Sequence, residues 1–109
     1  MDKEHVIQKR QEPRLPVEIT SRYRTGSGQA HIVRVSNLSR SGCLLHQNYS
    51  ALSPGKMLTI RLGEIGPIDS VVRWKDGLNV GLEFITPLHQ AMMDHLSQLY
   101  GVVWGKGAA

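Results

Sequence analysis

From residue 17 onward the chain alternates polar and apolar residues with a period of two, and turn residues break that alternation about every ten residues. In "VEITSRYR" (17–24), Val17, Ile19, Ser21 and Tyr23 oppose Glu18, Thr20, Arg22 and Arg24. That is the pattern of a strand buried on one side. "GSG" at 26–28 leads into "QAHIVRVS", and "NLSRSG" separates that run from "CLLHQ". "SPGK" at 53–56 precedes "MLTIRLG", where Leu58, Ile60 and Leu62 share a face. "GP" at 66–67 precedes "IDSVVRWK", and "DG" at 76–77 joins it to "NVGLEFI", with Val80, Leu82 and Phe84 on one face. Six short strands at this spacing predict an all-β fold, a small antiparallel barrel or sandwich. Closure into a barrel would hide the sheet edges, which matters for so short a chain.

The tail has a different period. Thr86 is a candidate helix cap, with Pro87 at the first helical position, where its missing N–H is harmless. Leu88, Ala91, Met92, Leu96, Leu99 and Tyr100 then recur at helical spacing, and Gly101 is a stop signal. One amphipathic C-terminal helix is expected to pack on the sheet or plug the barrel end. Ahead of the strands, residues 1–14 are polar and without period, and read as a flexible arm. The expected organisation is therefore an arm over 1–14, a barrel and helix over 15–100, and a tail over 101–109.

With 40% apolar residues in 109, the chain can bury a modest core as one domain. No apolar run approaches the roughly 20 residues that span a bilayer. The charged start "MDKEHVIQKRQEPR" lacks the apolar segment of a signal peptide. A single cysteine, Cys43, suits a reducing compartment. A cytoplasmic protein is the expectation. The charge is lopsided: residues 1–42 hold eight Lys/Arg against four Asp/Glu, and residues 43–109 hold five of each. The whole excess of +4 thus lies in the first two-fifths of the chain, which favours an anionic partner.

Most catalytic chemistries find no support. The histidines at 5, 31, 46, 89 and 95 form no zinc-ligand spacing with one another or with Cys43. There is no nucleophile elbow, no P-loop and no strand-to-helix dinucleotide fingerprint, and the carboxylates are scattered. Neither a catalytic residue nor a metal or cofactor site is expected, and a binding module is the better class.

Two polar clusters remain. "RQEPR" places Arg10 and Arg14 in a proline-containing segment that resists helix formation. "NLSRSG" places Asn37 and Ser39 two apart, so that on an extended backbone they share a face while Leu38 points into the core. Gly42 then permits either a positive φ or a close approach to the backbone. Arginine forks bond phosphate oxygens, read guanine edges and stack on bases. An amide and a hydroxyl complete contacts to a base edge or ribose. Together these suit a ligand carrying both phosphate and purine.

The pair "RQEPR" and "NLSRSG", 23 residues apart from Arg14 to Asn37, resembles the pattern of the PilZ domain family, R-x-x-x-R then [D/N]-x-S-x-x-G. "DGLNVGLEF" resembles the family's final barrel strand. The resemblance covers the chain from about residue 8 to residue 100, and it implies a six-stranded antiparallel β-barrel with a C-terminal α-helix. It also implies a non-catalytic receptor for the bacterial second messenger cyclic di-GMP. From the polar arm comes a separate expectation: a dianion bound between arm and barrel orders residues 1–14 and so relays binding to a protein partner. Carried over, Arg10 and Arg14 would clamp phosphates and guanine faces. Asn37, Ser39 and Gly42 would meet a guanine and its ribose-phosphate edge. Asn37 stands where many members have Asp, so it offers one oxygen and one NH₂ in place of two acceptors. Lys9 sits where members differ in taking one ligand or a stacked ligand dimer. Two rivals remain: an adaptor of the same fold that binds only protein, and a small basic barrel for single-stranded nucleic acid. The second is disfavoured because only six aromatics exist and Tyr23 and Phe84 fall on core faces.

Overall fold

The computed structural model describes residues 14–46 and 52–102. The alternating runs form six strands: β1 (Leu15–Arg24), β2 (His31–Leu38), β3 (Gly42–His46), β4 (Met57–Leu62), β5 (Ile65–Asp76) and β6 (Asn79–Phe84). They close into an antiparallel barrel in the order β1-β2-β3-β6-β5-β4, with β4 pairing back onto β1. One helix, α1 (Gln90–Tyr100), follows. The all-β barrel with a C-terminal helix expected from the periodicity and the resemblance is the observed fold.

Period-two burial explains the closure. Val17, Ile19 and Tyr23 of β1, Val33 and Val35 of β2, and Leu58, Ile60 and Leu62 of β4 all face one interior. Val80, Leu82 and Phe84 of β6 complete it, as the alternation required. Each such side chain contributes about 1.5–3 kcal/mol when fully buried. Gly77, at φ +62, makes the β5–β6 turn that "DG" predicts. The start of β5 differs from expectation. Gly63, at φ +63, makes the β4–β5 turn, so β5 begins at Ile65 and Pro67 lies inside the strand. Pro67 falls where the β4–β5 register is interrupted between Ile60 and Leu62, an irregularity of the kind at which strands admit proline.

The helix start also requires correction. Thr86 does not cap it and Pro87 is not its first residue; the cap is His89, whose side chain makes no capping bond. The cause is tertiary. The Leu88 N–H donates to the Arg40 carbonyl at 2.8 Å, and the Leu88 carbonyl accepts from Arg40 Nε at 2.7 Å. Both Leu88 backbone groups are bonded to Arg40, and the Met92 N–H donates to the His89 carbonyl, so the helix opens at Gln90 and not at Pro87. The buried stripe of α1 therefore runs through Met93 and Leu96, while Ala91 and Leu99, expected on that stripe, are exposed. Gly101 does stop the helix, and it bridges to Val17, while the Val102 N–H donates to the Pro16 carbonyl. The helix is thus tied at its start to the β2–β3 turn and at its end to β1.

Candidate ligand-binding site

Strict alternation along β2 would put Asn37 inside the barrel with Val33 and Val35. A bulge prevents this. Val35 pairs with Leu45 and Asn37 pairs with Leu44, so two steps on β2 match one on β3. Ser36 is the extra residue, and its Oγ lies 2.5 Å from His46 Nε2 on the outer surface. The insertion turns Asn37 outward, half-buried, and returns Leu38 to the core.

The β1–β2 register brings the first cluster to the second. Leu15 pairs with Leu38 and Pro16 with Asn37, so Arg14, one step ahead of Leu15, stands at the end of β2 beside the turn. Arg14 is exposed, and its positive charge reaches Cys43 on β3. Burial pushes the Cys43 thiol up to about 12, with the Arg14 charge opposing that shift. Cys43 is therefore an inert core thiol, not a nucleophile. Lys9 and Arg10 lie outside the described residues.

Ser39 does not share the outward face of Asn37. β2 ends at Leu38, so the alternation that would pair Ser39 with Asn37 on one face stops, and Ser39 is fully buried in the turn. Its N–H donates to the Gly42 carbonyl at 2.9 Å, its hydroxyl contacts the same oxygen at 3.4 Å, and its Oγ accepts from the Ser41 N–H at 3.3 Å. Gly42 has no positive φ. It is required by close approach, because a Cβ there would overlap the Leu82 carbonyl oxygen of β6. Arg40 of the same turn is the clamp on Leu88 described above. Arg73 pairs with Glu83 on the exposed face of the β5–β6 hairpin.

Paired positions then define a continuous outer row: Pro16 of β1, Asn37 of β2, Leu44 of β3, Gly81 of β6 and Trp74 of β5. Trp74 was not placed in the site by sequence reasoning. A signal for it was present, since a two-residue turn at 77–78 pairs Asp76 with Asn79 and, counting back, Trp74 with Gly81. Among the described residues no group of His, Cys, Asp or Glu forms a metal site, and no helix is long and apolar enough to cross a membrane.

A closed barrel with an outward amide in its outer row and an arginine at the neighbouring strand mouth has the form of a small binding module. The family follows from the whole chain: the model of the PilZ domain matches residues 8–101, and the chain belongs to that family. PilZ domains are binding and signalling domains of cyclic di-GMP effectors and are not catalytic. No curated protein matches the chain.

Proposed function

We propose that this chain binds cyclic di-GMP between the segment carrying Arg10 and Arg14 and the outer face at Asn37, and relays that binding to a protein partner. The observation that carries the reading is the β1–β2 register, which sets Arg14 beside the β2–β3 turn while a bulge turns Asn37 outward. Arg14 and Arg10 supply charge-assisted bonds to phosphate and a face for guanine. Asn37 meets a guanine edge. Ser39 and Gly42 act through the turn: Ser39 fixes its shape, and Gly42 lets β6 approach so that the turn keeps its place. Lys9 adds charge next to Arg10 and favours a second, stacked ligand with its additional phosphates.

Calorimetric titration of the wild type and of Arg10→Ala/Arg14→Ala with cyclic di-GMP, GTP and a short oligonucleotide tests the assignment. The wild type is expected to bind cyclic di-GMP selectively and the double variant to lose it; equal heats would overturn the assignment. Relay to the partner is proposed to run through the segment ahead of β1, which the ligand fixes against the barrel. Amide exchange in residues 5–15 should then slow on saturation with cyclic di-GMP, and unchanged exchange would remove this step.

A further inference from the structure

The positive charge of the chain is not confined to the ligand site. On the outer face of β1, Arg22 and Arg24 stand two residues apart, and both are exposed. Arg22 pairs with Arg61 of β4 on one side and with Ile32 of β2 on the other. Arg24 pairs with Thr59 of β4. Three guanidinium side chains therefore leave the barrel from neighbouring positions, about 5 Å apart across the strands and about 7 Å apart along β1. Arg22 is also remote from Arg14, since residues 14–22 of extended chain span roughly 26 Å.

Two observations set this face apart from an ordinary solvated surface. Like charges directly opposed across strands destabilise a sheet. Arg22 and Arg61 are so opposed, with no carboxylate bonded to either among the described residues. Arg61 donates to the Glu64 carbonyl at 3.4 Å and Arg24 to the Gly28 carbonyl at 3.1 Å, bonds that position the forks and leave their charge in place. Glu18, the acidic residue of β1, lies instead beside Arg34. The second observation is Ile32, which ends the row Arg61–Arg22–Ile32 and is 75% exposed. A local conflict with no compensation inside the fold is expected where a surface serves a function.

We propose that this face docks an acidic segment of a protein partner, with carboxylates on Arg22, Arg24 and Arg61 and an apolar side chain on Ile32. Arginine forks bond carboxylates bidentately. Their spacing of about 5–7 Å matches that of glutamates at i, i+3 and i+4 on a helix. A single-stranded nucleic acid would need aromatic faces for its bases, and no Phe, Tyr or Trp points outward from β1, β2 or β4. Nothing in this contact requires cyclic di-GMP to be bound.

Fluorescence polarisation in the full chain tests the docking face. The probe is a labelled helical peptide with Glu at i, i+3, i+4 and i+7 and Leu at i+8, set against the same peptide with Gln for Glu. The wild type is expected to bind the Glu peptide, less tightly as salt rises, and not the Gln peptide. Arg22→Thr/Arg61→Thr should weaken that binding on the order of tenfold. The same variant should raise the urea midpoint, because the opposed charges are gone and threonine suits a strand. Those opposite signs separate docking from a structural role. Arg10→Ala/Arg14→Ala should leave peptide binding unchanged. Equal binding by the wild type and Arg22→Thr/Arg61→Thr, or no binding of the Glu peptide at low salt, would overturn the proposal. Tighter binding of a short oligonucleotide or of phosphatidylglycerol vesicles, lost in Arg22→Thr/Arg61→Thr, would also overturn it and assign the face to phosphate.

Discussion

The barrel contains two tight connections that look alike in outline and differ in construction. The β5–β6 turn closes with Gly77 at φ +62 and Leu78, which remains exposed. Nothing lies within 4 Å of a Cβ built on Gly77. Its glycine serves backbone conformation alone. The β2–β3 turn has no positive φ among its residues, yet it is bonded to two other parts of the molecule. Ser39 closes it internally, Ser41 accepts from the Phe84 N–H at 2.7 Å, and Arg40 holds Leu88 ahead of the helix. A turn needed only to reverse the chain would require none of these. The difference shows that the serines, the arginine and the glycine of "NLSRSG" fasten the turn to β6 and to the segment ahead of the helix, beside the outward-turned Asn37.

The contrast breaks most visibly at the two glycines. Gly42→Ala should destabilise the fold by about 3 kcal/mol, since the added methyl meets the β6 carbonyl with no room to relax. Gly77→Ala should lose only about 1 kcal/mol, from the left-handed backbone alone. Urea denaturation of both variants measures the gap, and equal losses would erase the distinction between the turns. Ser39→Ala comes next. It removes the hydroxyl that serves the Ser41 N–H and should lower stability by about 1–2 kcal/mol. Loss of cyclic di-GMP affinity should follow only as far as the turn loosens. An affinity loss with unchanged stability would instead show direct contact by the hydroxyl.

Cys43, just past the turn, sharpens the comparison through pH. Its thiol, ordinarily near 9, is pushed up to about 12 by burial. Below pH 9 folded and unfolded chains both keep the proton, and the thiol contributes nothing to pH dependence. Above pH 9 the unfolded chain releases it while the folded chain holds it, so stability falls as pH rises toward 12, by at most about 1.4 kcal/mol per pH unit. Cys43→Ala should flatten stability against pH between 9 and 10.5. Parallel curves for the two proteins would show that the β3 core opens to water.

How legible was the site? Arg14 and Asn37 were visible as residue types in the right order, and the structure brings them to neighbouring strand ends. Their proximity depends on β1–β2 register, which alternation and a short "GSG" turn constrain well. Ser39 was misplaced because a period of two was extended one residue past the end of β2. The Thr86 cap failed for a different reason: the local signal was sound, but Arg40, 48 residues away, binds Leu88 in a way no local pattern reveals. Trp74 opposite Gly81, and with it the outer face, could be counted from the "DG" turn, while the bulge at Arg73 that reconciles this with a buried Val72 could not.

Periodicity and turn residues alone determined six strands, one helix and the apolar set that fills the barrel, because side-chain alternation and glycine conformation are local properties. The resemblance of "RQEPR" and "NLSRSG" to one family added the ligand. Only the tertiary structure decided which polar side chains face outward together. A single inserted residue flips every side chain after it, and whether β2 and β5 each insert one is set by how their neighbours pair, not by either strand's own pattern.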